Sequence, residues 1–80
     1  MPYYFFVWTE YRLEKLISNG IDPDDFEQIV MHPDGRAQSR STGRWIAFGR
    51  DDSGDELACV YELDDVGETV FPITGYYTGN

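Results

Sequence analysis

Four arginines, Arg36, Arg40, Arg44 and Arg50, stand close together in an eighty-residue chain whose other two bases, of six in all, are Arg12 and Lys15. Among them lie Ser39, Ser41, Thr42 and Gly43. Guanidinium forks bind phosphate oxygens through paired hydrogen bonds, and hydroxyls and backbone N–H groups in a glycine-containing loop can add donors. Ser39 to Arg44 could therefore cradle an anion. It is no P-loop, because it lacks the Gly-Lys-Ser/Thr ending and leads into a strand pattern instead of a helix. The competing reading is that these arginines pair with surrounding carboxylates, which are abundant.

Other reactive side chains are isolated. His32 is the single histidine and could act as an acid or base near neutral pH, but its place at the end of a helical pattern favours helix-dipole complementation. Cys59 is the single cysteine and lies in the apolar run Leu57 to Tyr61, so no disulfide framework is available and a buried, inert thiol is expected. Asp51, Asp52, Asp55 and Glu56 lack the alternating ligands and distant glutamate of a calcium loop; Asp, Ser and Gly here read as a hairpin turn. Tyr61, Tyr76 and Tyr77 could stack on bases, or serve as cross-strand packing partners. Neither a metal site nor a cofactor is expected.

Charge bounds the partners. The formal net charge is −9, which opposes general binding to a polyanion, because that affinity comes from Lys and Arg displacing counterions. The bases are concentrated between Asp34 and Arg50, so one patch could still face an anion while the remaining surface repels it. No run is long or apolar enough to span a bilayer, and the opening aromatic run lacks the charged start of a signal peptide. A cytoplasmic protein that makes no membrane contact is expected. Eighty residues allow one domain, 1–80, and the thirteen aromatic residues (two Trp, six Tyr, five Phe) can fill a small core.

The elements that must position these groups can be read in order. Tyr3 to Trp8 is a continuous aromatic run, expected to form a short strand covered on both faces. Thr9 offers an N-cap, Leu13, Leu16 and Ile17 share a helical face, and Gly20 supplies the left-handed stop. Asp22, Pro23, Asp24 and Asp25 start a second helix, with Ile21 able to staple onto Phe26, and Pro33 ends it. Asp34 to Gly43 reads as a loop. Arg44 to Arg50, Leu57 to Leu63 and Thr69 to Tyr77 read as a three-stranded antiparallel meander, with Pro72 at an edge or a bulge. On the middle strand Leu57, Cys59 and Tyr61 share one face and Ala58, Val60 and Glu62 the other. The fold class is α+β in the order β-α-α-β-β-β, with the helix hairpin on one face of the sheet.

In this order of elements, and in the opening strand with Trp8, Asn19-Gly20-Ile21, the His32-Pro33 pair, Phe48-Gly49-Arg50, Cys59-Val60-Tyr61 and Ile73-Thr74-Gly75-Tyr76, the chain resembles the BrnT-type toxins. These are small ribonuclease-like members of the wider RelE toxin superfamily. The resemblance implies a RelE/BrnT-like fold, a ribbon-helix-helix antitoxin as partner, and RNA as substrate. It implies metal-independent cleavage, in which cations stabilise charge on pentacoordinate phosphorus while another group moves the 2′-hydroxyl proton. Carried over, Arg44 and Arg50 with the adjacent Arg40 are the catalytic candidates; the reading of the loop and of the strand aromatics adds Arg36, Ser39, Ser41, Tyr61 and Tyr76 as candidate substrate contacts. Tyr76 stands where the family usually has an arginine, and Asn19 where it usually has a histidine. The alternative is a non-catalytic interaction module of the same fold. A third reading is small-anion binding at the Arg36 to Arg50 loop.

Overall fold

The computed structural model describes residues 4–78. Tyr3, where the first strand was expected to begin, lies outside them. The element order is β1 (Phe5–Phe6), α1 (Glu10–Ser18), α2 (Pro23–Met31), β2 (Gly35–Gln38), β3 (Trp45–Arg50), β4 (Glu56–Leu63) and β5 (Thr69–Tyr77). The class is α+β, but the sheet has five strands in the order β1-β5-β4-β3-β2 and is mixed instead of a three-stranded meander. After β1 the chain runs through both helices, enters the far edge as β2, and returns by antiparallel neighbours until β5 lies parallel to β1.

The helices form where local chemistry provides their ends. The Thr9 hydroxyl accepts the Arg12 N–H at 3.2 Å, and Gly20 adopts φ 79° just past Asn19, the C-cap of α1. The Asp22 carboxylate accepts the Asp24 N–H at 2.9 Å with Pro23 at the first helical position of α2. Leu16, Ile21, Phe26, Ile29 and Val30 point into the core. Ile17 does not: it is 56 % exposed, because α1 presents a narrower apolar stripe to the sheet than its Leu-Ile pair suggested.

Two glycines set how closely the helices approach the sheet. A Cβ on Gly49 would lie 3.0 Å from Ile29 of α2, and one on Gly75 would lie 3.0 Å from Leu16 and 3.2 Å from Ile21. Both therefore face the helices, and the absent side chains leave room for three apolar ones. The polar ties at this interface involve α1 and the turn after it. Arg12 Nη1 and Asn19 Nδ2 donate to the carbonyls of Ile73 and Gly75, and the Tyr77 hydroxyl donates to Gly20 O.

Two expectations are corrected by the strands, and the bulge expected at Pro72 is present. Gly35 to Gln38 is an edge strand and not loop, held by four register pairs to β3. The aromatic run is strand only at Phe5–Phe6 and is not covered on both faces: Phe5 and Val7 are exposed, while Phe6 and Trp8 pack against the core. Trp8 reaches α2, meeting the Phe26 ring edge-on at 5.3 Å and donating its indole N–H to Glu27 at 2.8 Å. The register shift opposite Val60 and Tyr61 gives β5 one extra residue at Pro72-Ile73, the bulge that proline requires. That single residue decides orientation beyond it: Gly75 faces the helices and Tyr76 the opposite side, where an unbroken alternation from Val70 would exchange them.

Candidate functional site

Strand geometry disperses the arginine segment. Arg44 and Arg50 share the face away from the helices but stand at opposite ends of β3, and six residues of strand separate them by about 20 Å. Arg44 Nε lies 3.5 Å from Glu62 Oε2 across the sheet. Arg50 Nη1 donates to Gly54 O at 2.8 Å, which ties it to the β3–β4 turn. Arg36 pairs with Ala47, so it lies on the helix side. Its guanidinium sits 5.0 Å over the Trp45 ring, with Nη1 3.5 Å from the Tyr4 hydroxyl. Arg40 is exposed in the turn between β2 and β3. The four do not converge on one point.

The anion cradle is closed by its own turn. Ser39 N–H donates to Arg44 O at 2.8 Å, Gly43 N–H to Ser39 O at 2.8 Å, and Arg44 N–H to the Thr42 hydroxyl at 3.2 Å. Ser39 Oγ also receives the Thr42 N–H at 3.4 Å and lies 3.2 Å from Ser41 Oγ. These donors serve the hairpin. The neighbouring concavity, a cleft of about 570 Å³ lined by Gln38, Trp45, Glu62, Asp64, Asp65 and Phe71 among others, is acidic at its mouth. Asp64 there accepts the N–H groups of Glu68 and Thr69, and backbone hydrogen bonding, Thr69 foremost, holds its carboxyl below the ordinary value of 3.8. Such a cleft disfavours phosphate.

The two tyrosines expected to contact substrate lie on opposite faces of the sheet. Tyr61 is fully buried under the helices, and its hydroxyl has no hydrogen-bond partner among the described residues; burial raises its pKa. Tyr76 is 48 % exposed on the other side. Cys59 is buried as expected, its thiol pushed up to about 12 by burial and then by the charge of Asp25, so it holds no reactive thiolate. Among the described residues no three His, Cys, Asp or Glu side chains form a group that could hold a metal ion, and no helix is long and apolar enough to cross a membrane.

What the structure does assemble is the sheet face opposite the helices. Register pairs place Phe48, Ala58 and Tyr76 in one row across β3, β4 and β5, and Ile46, Val60 and Thr74 in the next. Tyr76 and Phe71 are exposed, Ile46, Phe48 and Val60 half-buried. Arg44 and Glu62 bound the patch at one end, and Arg50 and Glu56 at the other, so formal charge cancels here within a strongly acidic chain. Among the described residues no further element of secondary structure remains to cover this face. The signal was present in the sequence: β3 and β4 carry apolar residues on both faces, while two short helices can cover one.

Compared with protein-family models, curated proteins and solved structures, the chain matches none of them. The fold and the surface thus define it: a two-layer α+β domain in which no element among the described residues covers one face of the sheet.

Proposed function

We propose that this chain is a non-catalytic protein-interaction module whose docking surface is the uncovered sheet face. The observation that carries this reading is the contiguous patch of Ile46, Phe48, Val60, Phe71 and Tyr76, apolar in the middle and charged at both ends. Aromatic side chains grouped on an exposed surface and rimmed by polar groups mark sites of protein association. RNA cleavage through Arg40, Arg44 and Arg50 has weaker support. The guanidinium groups would have to reach one phosphate within hydrogen-bonding distance, and about 20 Å of strand separates two of them.

The test compares Tyr76→Glu with Tyr11→Glu, which changes an exposed tyrosine on α1. Tagged chain is used to retain its protein partners, an untagged copy of itself included, and the retained species are titrated onto isotopically labelled chain. Tyr76→Glu abolishes retention, Tyr11→Glu preserves it, and the NMR shifts cluster at Ile46, Phe48, Val60 and Tyr76. Retention unaffected by Tyr76→Glu overturns the docking face. Metal-independent RNA cleavage lost in Arg44→Ala returns the toxin-like reading.

A further inference from the structure

We infer that the occupant of the uncovered face is a second copy of this chain, stacked face to face about a dyad parallel to β3 and β4. The inference rests on the docking reading above and names its partner. A dyad lying between the two sheets, along the seam of β3 and β4, preserves the height of every residue along the strands. It sets β3 over the partner's β4 and β2 over the partner's β5. Each cross-strand row is thereby read against its own reverse.

The rows on this face match their reverses. Register pairing makes one of them Gly35, Phe48, Ala58, Tyr76, a small-large-small-large alternation. Reversed onto itself, it puts the exposed Tyr76 over the other copy's exposed Gly35, while the half-buried Phe48 lies above a position, Ala58, that its own neighbours already bury. The large exposed side chain meets the small exposed one. The adjoining row of Ala37, Ile46, Val60 and Thr74 sets Ile46 against Val60 and Thr74 against Ala37 in the same way. Packed sheets cross at about 30°, so the fit is best near the seam, where Ile46 and Val60 lie.

Charge follows the same symmetry. Arg44 lies over the other copy's Glu62, and Glu62 over its Arg44, which extends the 3.5 Å pair within one chain into a ring of four alternating charges. At the far end Arg50 and Glu56, partners in register, repeat the exchange. A face that is neutral and self-complementary suits a like copy even though each chain carries −9 overall. Four strands of about six residues give a footprint of roughly 20 by 20 Å, which places the contact at the small end of specific interfaces. The dimer is therefore reversible.

The test is sedimentation velocity of the full chain, at physiological salt, from micromolar to millimolar concentration. The wild type passes from monomer to dimer over that range. Arg44→Glu gathers four carboxylates in the ring and Glu62→Arg gathers four guanidinium groups; each alone weakens the dimer by about a hundredfold or more. An equimolar mixture of the two restores association as a heterodimer, and so does the double variant Arg44→Glu/Glu62→Arg with itself. Circular dichroism confirms that each variant is folded. A wild type that stays monomeric throughout overturns the proposal, as does a dimer indifferent to both substitutions or a mixture that stays monomeric. A monomeric wild type that still retains a different protein in a Tyr76-dependent way removes the second copy but keeps the docking face; loss of both removes both.

Discussion

The two faces of this sheet are built from alternate residues of the same strands, yet they have opposite physical characters. On β4, Leu57, Cys59 and Tyr61 are fully buried beneath the helices, while on the alternate face Val60 is half-buried and Glu62 exposed, and only the small Ala58 is buried. The covered face is shaped by removal of side chains, with Gly49 and Gly75 letting Ile29, Leu16 and Ile21 approach. The open face is shaped by their retention, with Phe71 and Tyr76 exposed, Phe48 half-buried and Ala58 covered by the side chains around it. The covered face is completed within the chain. The open one offers the same kind of apolar surface to something outside it.

The largest effect that could break this contrast lies in the core. Leu57→Ala removes a fully buried side chain and is expected to cost about 2–5 kcal/mol. Phe71→Ala on the open face, 39 % exposed, should change the stability of the monomer by about 0.5–1 kcal/mol. Urea denaturation at concentrations too low for association measures both. Equal costs would mean that the open face is a second core and not a docking surface.

The glycines sharpen the contrast at smaller scale. Gly49→Ala places a methyl group 3.0 Å from Ile29 and should destabilise by about 1–3 kcal/mol, because the packed helix must shift to admit it. Gly35→Ala meets nothing within 4 Å, so the monomer should melt unchanged. The same substitution fills the place that the second copy's Tyr76 occupies and should weaken the dimer in sedimentation. One substitution thus reads as stability on the covered face and as association on the open one.

Legibility in the sequence followed the range of the interactions. Both helices were readable because their caps are local: Thr9, Gly20, Asp22 and Pro23 act within a few residues. β4 and β5 were readable from composition. β2 was not, because Gly-Arg-Ala-Gln contains no β-branched or aromatic residue and becomes a strand only through pairing with β3. The parallel pairing of Phe5 with Thr69 likewise has no local signature. For the candidate site, nearness in sequence misled. Arg36 to Arg50 looked like a cluster, but strand extension separates Arg44 from Arg50, and register puts Arg36 on the other face. Tyr61 and Tyr76 could be assigned to opposite faces only once the extra residue at Pro72-Ile73 was seen.

The smallest effect concerns charge, where the open face is balanced and the end of the helix layer is not. Asp25 on α2 has its carboxyl raised above 3.8, by desolvation first and then by the charges of Asp52, Asp22 and Asp51. Nearby Asp51 is lowered instead, because its carboxylate accepts the Asp55 N–H at 2.9 Å, the Tyr77 hydroxyl at 3.0 Å and the Ser53 N–H at 3.0 Å. For Asp25 the folded state holds its proton more tightly than the unfolded state. Its ionisation therefore costs stability, and that cost grows as pH rises from 3.8 through the raised folded value and stays constant above it. Asp25→Asn should accordingly stabilise the monomer at neutral pH by about 0.5 kcal/mol or less, and the gain should vanish below 3.8, where Asp25 is itself neutral. Asp51 works in the opposite sense, giving stability that is present above 3.8 and lost as pH falls through its lowered folded value. Thermal melts of wild type and Asp25→Asn across that range measure the difference, and a gain that persists in acid would mean that the substitution acts through packing and not through the acidic rim of the covered side.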